Sequence, residues 1–307
     1  MKVIVENLTK RIGQQTMLDS LSFEAKRGEV LGFLGLDGAG KTTLLRVISG
    51  FLRPDSGNVF VGKNSILKNN RHIRKNIGYL PESNPLYYDM NVIDFLNFVA
   101  KLNKVPKYMI PTRIMDMLRF CGLEQEKHKN IKELSKGYRQ RVGIAQALIH
   151  DPSIVLLDEP TTGLDPNQTN EIRQMIRAIG KEKTVILCSH LLSEIESTCD
   201  KVVILNRGVA VASGTTMELK RGSGNNRVLE FMVSSVDPIL VEEKLKEVDG
   251  VVKIKFLKDF FELTVRRNIN IEKSLFEMCK TEGWYFKQLN EVKTTLEDIF
   301  LQLTQGL

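Results

Sequence analysis

The sequence predicts an α/β fold: a mixed sheet packed with helices, carrying a helical insertion and followed by a small α+β domain. Three observations predict it. Strand-like and helix-like segments alternate through residues 1–218. A glycine-rich turn stands between an apolar strand and a helical segment near residue 40. Helical periodicity dominates residues 84–150 and then gives way to strands again.

The elements follow in order. Val3–Glu6 and Leu21–Phe23 read as strands. Glu29–Phe33 is apolar throughout its middle, as a strand covered on both faces must be. Lys41–Gly50 reads as a helix, and Asn58–Val61 and Ile77–Leu80 as further strands. Val92, Phe95, Leu96, Val99 and Leu102 recur at helical spacing, with Asn91 as the cap and Asp94 in the first turn. Helical patterns also cover Pro111–Cys121 and Gly137–Ile149. Strands return at Ile154–Leu157, Thr184–Cys188 and Val202–Asn206, with Asp-Pro and Arg-Gly turns between them. A polar, glycine-rich stretch from Gly222 reads as a linker. Beyond it come a strand (Val228–Val233), a helix (Pro238–Val248), two strands (Val251–Phe256, Phe260–Arg266) and a helix (Ile271–Glu282). The expected domains are therefore 1–218 and 219–307.

Composition narrows the function. A 42% hydrophobic and 26% charged chain is ordinary for a globular protein. No apolar stretch approaches the roughly 18–20 residues that span a bilayer. Met1-Lys-Val-Ile-Val lacks the layout of a signal peptide. A cytoplasmic location is expected, with any membrane contact made through other subunits. Cys121, Cys188, Cys199 and Cys279 are far apart, which disfavours a metal cluster or a disulfide framework and suits small buried hydrophobes. The net charge is +7, and residues 219–307 hold 14 basic and 14 acidic side chains, so the excess lies in 1–218. It forms no terminal run, and no nucleic-acid partner is expected.

Gly35-Leu36-Asp37-Gly38-Ala39-Gly40-Lys41-Thr42, followed by Thr43, carries the first chemistry. Glycines let a backbone wrap phosphates with its N–H groups inward. The following helix N-terminus favours anions. Lys41 can reach the β- and γ-phosphates, and Thr42 offers a hydroxyl to Mg²⁺. Ile154-Val-Leu-Leu-Asp158-Glu159 is the partner: an apolar strand that delivers two carboxylates at its end. Asp158 suits the magnesium shell, and Glu159 suits orienting or deprotonating water. Ser135 and Gly137 open the helix of Leu134-Ser-Lys-Gly-Tyr-Arg-Gln-Arg141 and make a second anion-binding N-terminus.

These motifs, in this order, resemble the ATP-binding cassette (ABC) family, a P-loop NTPase type with a mixed sheet core and helical subdomain. The resemblance implies that Ser135 and Gly137 complete a phosphate site on the opposite protomer. It implies that Glu82, in Ile77-Gly-Tyr-Leu-Pro-Glu82, senses magnesium and water. It implies that Asp165 lies in the loop crossing the dimer interface, and that His190 contacts the γ-phosphate. ATP and Mg²⁺ are the implied ligands. A head-to-tail homodimer or paired cassette is implied, driving integral membrane permease subunits as an ATPase motor at the inner face of the membrane. The whole chain, with Thr294-Thr-Leu-Glu-Asp-Ile-Phe300, resembles a narrower group of drug-export-type subunits and the gliding-motility-associated GldA group. The alternatives are a soluble or regulatory cassette acting without transport; a single cassette with intact Glu159 and His190 argues against both. Leu86, Tyr87, Tyr88 and Met90 are the expected partner contact or core, and Trp284 and Tyr285 core or interface. His72, His128 and His150 match nothing and read as surface or packing residues.

Three positions depart from the family pattern. Glu82 stands where many members have Gln, which adds negative charge beside Asp158 and Glu159. Lys136 and Tyr138 replace a Gly and a Gln. Ile12 occupies the place of an aromatic residue that stacks on adenine, and forgoes roughly 1–3 kcal/mol of stacking. Comparable rates of ATP and GTP hydrolysis are therefore expected; a strong preference for ATP would contradict the reading of Ile12.

Overall fold

Where a strand is covered on both faces its middle must be apolar, and this rule builds the centre of the protein. The computed structural model describes residues 1–221, 226–234, 237–266, 268–292 and 295–305. It divides into two compact units, Met1–Thr216 and Met217–Leu307. Residues 222–225 of the expected linker lie outside the described residues.

The first unit runs β1 (Val3–Ile12), β2 (Gln15–Ala25), β3 (Glu29–Leu34), α1 (Lys41–Ile48), β4 (Ser56–Val61), β5 (Asn64–Ser65), α2 (Ile66–Arg74) and β6 (Ile77–Leu80). The helical subdomain follows with α3 (Val92–Leu102), α4 (Ile110–Phe120), a 3-10 turn at Ile131–Glu133 and α5 (Lys136–Leu148). The unit closes with β7 (Ile154–Asp158), α6 (Pro166–Glu182), β8 (Thr184–Ser189), α7 (Leu192–Thr198), β9 (Lys201–Asn206) and β10 (Val209–Gly214), after which α8 (Thr216–Arg221) begins.

Two sheets make this unit. One is antiparallel, in the order β2-β1-β4-β5; the other is mostly parallel, in the order β10-β9-β3-β8-β7-β6. Every residue of β3, β7 and β8 is buried. In β1 only alternate positions enter the core: Val3, Val5 and, past an irregularity in the ladder, Leu8. Leu44, Leu45, Val47 and Ile48 of α1 share one core with strands of both sheets. That burial explains why the helix after the glycine-rich loop is apolar.

Two elements exceed what the sequence suggests. β2 spans 11 residues where only Leu21–Phe23 reads as strand. Asp165-Pro166, which reads as a turn, opens the 17-residue α6. The Asp165 carboxylate accepts from the N–H groups of Asn167 and Gln168, and Pro166 takes the first helical turn, where its missing N–H costs nothing. Ile172, Ile176 and Ile179 then face the core.

The second unit runs β11 (Asn226–Ser234), α9 (Pro238–Glu247), β12 (Val251–Leu257), β13 (Phe260–Arg266), α10 (Ile271–Glu282), β14 (Tyr285–Val292) and α11 (Leu296–Gln305). Its antiparallel sheet has the order β12-β13-β11-β14, the split β-α-β arrangement of ferredoxin-like folds. Phe231, Leu263 and Val265 of the sheet pack with Val241 and Leu245 of α9 and with Leu275 of α10. β14 was not legible in the sequence, because an edge strand with mostly exposed side chains carries little apolar alternation.

The helical subdomain meets the core sheet closely. Gly78 of β6 faces α5, and a Cβ there would run into the carbonyl of Ala147. Gly78→Ala is expected to destabilise the first unit by about 1–3 kcal/mol, through overpacking against α5. Its urea midpoint tests this; an unchanged midpoint would show that the contact tolerates a methyl group.

Candidate active site

Parallel strands bring distant residues to one edge. Leu34 of β3 pairs with Ser189 of β8, Asp158 of β7 pairs with Cys188, and Leu80 of β6 pairs with Leu157. The segments leaving these carboxyl ends therefore emerge side by side, where α/β sheets hold their ligands. They enclose a cavity of about 430 Å³, lined by Met17, Leu36, Asp37, Gly38, Ala39, Gly40, Lys41, Thr42, Thr43, Glu82, Glu159, Thr162 and His190. The loop's shape requires glycine at Gly40, where φ is 103° and a Cβ would strike the Met17 carbonyl. Gly208 N–H donates to the Ala39 carbonyl at 3.0 Å and braces the loop from β10's side.

Lys41 opens α1 and is buried. Its Nζ donates to the carbonyls of Gly35 at 2.6 Å and Leu36 at 3.2 Å, and lies 3.5 Å from Glu159 Oε1. Glu159, 6% exposed, leaves the end of β7 at φ 48°, a left-handed position costly for a side chain of this size. Its Oε2 sits 2.8 Å from His190 Nδ1 and accepts from Thr162 Oγ1 at 3.2 Å and Ser189 Oγ at 3.4 Å. Oε1 is buried with no hydrogen-bond partner, leaving one lone-pair face open. Ammonium, carboxylate and imidazole thus form one chain at the cavity wall.

Asp158 lies one residue earlier and is fully buried. Burial pushes its carboxyl up to about 6; the Thr42 hydroxyl bonded to it opposes the rise, while the charges of Glu159 and Glu82 add to it. Its Oδ1 has no hydrogen-bond partner. Asp158, the Thr42 hydroxyl and Glu82 are hard oxygen donors of the kind magnesium takes. Among the described residues, no group of three or more His, Cys, Asp or Glu side chains could hold a metal alone. That suits an ion held by one or two carboxylates and completed by phosphate oxygens and water.

Other expected site residues lie off this cavity. Ser135 caps α5, accepting from Tyr138 N–H at 3.3 Å, and Gly137 is buried against Gln168 of α6. Neither lines the cavity, nor does Asp165. Lys136 Nζ lies over Gly163, so the Lys at this position covers the loop that leads to Asp165. Ile12 is 52% exposed and does not line the cavity either; Met17 does, and sequence reasoning missed it. Thr162, expected only as the first residue of the loop Thr162-Gly163-Leu164-Asp165 that crosses the dimer interface, lines the cavity instead, because its place three residues after Glu159 allows its hydroxyl to fold back on that carboxylate.

The remaining expectations sort by burial. Leu86 is buried, whereas Tyr87 and Tyr88 are 58% and 48% exposed. Cys121, Cys188 and Cys279 are buried and Cys199 half-buried. His128 is exposed and His150 packs with Nε2 3.2 Å from the Ile77 carbonyl; the side chain of His72 lies outside the described residues. Trp284 packs against the core of the second unit and Tyr285 is exposed. No helix among the described residues is long and apolar enough to cross a membrane.

Comparison with known proteins adds the following. Residues 18–162 match the family model described as ABC transporter, and residues 214–304 match that described as ATP-binding protein DrrA1-3-like, C-terminal domain. The ABC transporter ATP-binding protein YxlF of Bacillus subtilis is 33% identical over 302 residues, covering 98% of this chain and 99% of that protein. The bacitracin transport ATP-binding protein BcrA of Bacillus licheniformis is 32% identical, covering 98% and 96%. Among solved structures, cbiO1 of Clostridium perfringens, part of the ABC transporter complex cbiONQ, superposes with a TM-score of 0.66 at 30% identity, over 72% of this chain and 90% of that one.

Asp158 supplies a prediction. Its carboxyl holds a proton more tightly in the folded chain than in the unfolded one, whose value is near 3.8. Stability without metal therefore falls as pH rises from that value through about 6, and above it the buried charge costs about 3 kcal/mol. Asp158→Asn is expected to stabilise the ligand-free protein by an amount of that order at neutral pH, with the gain fading in acid. Urea unfolding at both pH values checks it; a gain independent of pH would refute the buried-charge account.

Proposed function

We propose a function on a plain premise: the chain belongs to the ABC transporter family of ATP-binding proteins. It is an ATP hydrolase, the motor subunit that drives membrane permease subunits. Its catalytic cassette occupies residues 1–218, and residues 219–307 form an accessory domain. The observation that carries the reading is the chain Lys41–Glu159–His190 closed over the phosphate loop.

In this reading the loop Gly35–Thr43 wraps the phosphates with its N–H groups. Incoming phosphate displaces Lys41 Nζ from the carbonyls of Gly35 and Leu36 and takes it as its own partner. Thr42, Asp158 and Glu82 would hold Mg²⁺, which would neutralise charge on the phosphates. Glu159 Oε1, open while Oε2 is held, takes a proton from the attacking water. Water oxygen bonds to the γ-phosphorus, the bond to the β–γ bridging oxygen breaks, and ADP and phosphate result. His190 holds the γ-phosphate through Nε2, the ring nitrogen not committed to Glu159.

Ser135, Gly137 and Asp165 act across a head-to-tail dimer. What supports this is their position off the cavity that holds Lys41: Ser135 is the exposed N-cap of α5, a helix N-terminus that can accept a second copy's phosphate, and Asp165 is the exposed N-cap of α6. Tyr87 and Tyr88 form the contact for the permease, which holds the subunit on the inner face of the membrane; exposed aromatics suit such an interface. The likeness to a bacitracin transport subunit favours export. Association with gliding motility rests on sequence resemblance alone.

The decisive variant is Glu159→Gln. It is expected to lower phosphate release at least about 100-fold, as loss of a general base does, while ATP still binds. In size-exclusion chromatography with Mg-ATP it is expected to elute as a dimer. Wild-type phosphate release would refute the role of Glu159; a nucleotide-bound monomer would refute the sandwich.

A further inference from the structure

Behind the hydrolytic carboxylate lies a second acid with no role assigned so far. Glu194, in the first turn of α7, is fully buried. Neither of its oxygens, nor Thr161 Oγ1 beside it, makes a hydrogen bond of good geometry. The groups facing it are the hydroxyls of Ser189 and Thr161, the Glu159 carboxylate and the Arg173 guanidinium, and its charge also reaches the Cys199 thiol. Burial pushes the Glu194 carboxyl above the ordinary range; the two hydroxyls pull it back in part, the Glu159 charge adds to the rise, and Arg173 opposes it. A lone carboxylate in such a place is costly, and keeping its proton is the usual remedy.

Ser189 links the two acids. A hydroxyl has one proton and two lone pairs. Ser189 Oγ accepts from Leu191 N–H at 3.0 Å and lies 3.4 Å from Glu159 Oε2. One lone pair remains, and Glu194 is the acid beside this hydroxyl.

We propose that Glu194 is a positioning residue for hydrolysis: as a neutral acid it donates its proton to Ser189 Oγ, which turns the Ser189 hydroxyl proton onto Glu159 Oε2. The result is three donors on Oε2, from His190, Thr162 and Ser189, with Oε1 left for water. Ionised, Glu194 takes the Ser189 proton for itself and sets a second negative charge behind Glu159. Turnover therefore falls as pH rises through the Glu194 ionisation. The proposal rests on the reading of Glu159 as the group that activates water.

The test is steady-state ATP hydrolysis by the full chain from mildly acid to alkaline pH, with the thermal midpoint of each variant. Glu194→Leu is expected to lower kcat about ten-fold, the equivalent of one hydrogen bond, with KM for ATP unchanged. Glu194→Gln, which still donates but cannot ionise, is expected to restore most of kcat and to lose the decline with rising pH that wild type shows. Ser189→Ala is expected to match Glu194→Leu, and the double variant to fall no further. Glu194→Leu with wild-type kcat, or a Glu194→Gln pH profile identical to wild type, would overturn the proposal. If Glu194→Leu fails to fold, the Glu194→Gln profile decides alone. Glu159→Gln run alongside separates the two readings: if it keeps wild-type turnover, the reading of Glu159 has failed and this proposal falls with it.

Discussion

The site depends on one constraint: a carboxyl group, that of Glu159, has to be held almost out of water at the end of a buried strand. Its left-handed backbone conformation costs on the order of 1–3 kcal/mol, and its desolvation costs more. What offsets these costs is the company it keeps. Lys41 lies 3.5 Å from one oxygen and His190 is 2.8 Å from the other. The parallel order of β3, β8 and β7 is what brings an N-terminal lysine, a mid-chain carboxylate and a histidine some thirty residues later to one place. Without that topology the three residues have no reason to meet.

Much of this was legible in the sequence, for physical reasons that differ from element to element. β3 and β7 announce themselves by unbroken apolar runs, because no other environment tolerates them. The loop at Gly38 and Gly40 announces itself because those backbone angles exclude other residues. α6 was missed although Asp165 and Pro166 mark its start; the same pair also begins turns, and only three isoleucines in the core decide between the two. Met17 was invisible, since its place at the cavity is set by a carbonyl pressed on Gly40 and not by any pattern along β2. The bond from Thr162 to Glu159, and Glu194 itself, were invisible for a related reason. A hydroxyl or an acid behind a site has no periodic signature; it is recognised only when the groups it faces are known.

The helical subdomain shows how local signals and long-range packing divide the work. Asn91 caps α3, Ser135 caps α5 and Pro111 starts α4, so each helix is specified within its own few residues. Their placement is not local. Gly78 admits the backbone of α5 to β6, and Gly143 on the same helix admits the side chain of Asn84, whose amide donates to the Arg139 carbonyl at 3.0 Å. Two glycines on facing surfaces thus fix how near the helix that carries Ser135 approaches the sheet that carries Glu159.

The two units have separate cores, and the chain's one tryptophan belongs to the second of them, packed as Trp284 beside Phe286 and Leu289. Indole emission therefore senses the C-terminal unit, while the cassette contributes only tyrosines such as Tyr79, Tyr87 and Tyr88. Light absorbed by that single ring reports on the core of the smaller unit, Met217–Leu307. Circular dichroism sums over the helices and strands of both units, so a fluorescence trace and a circular-dichroism trace of the same sample need not share a midpoint.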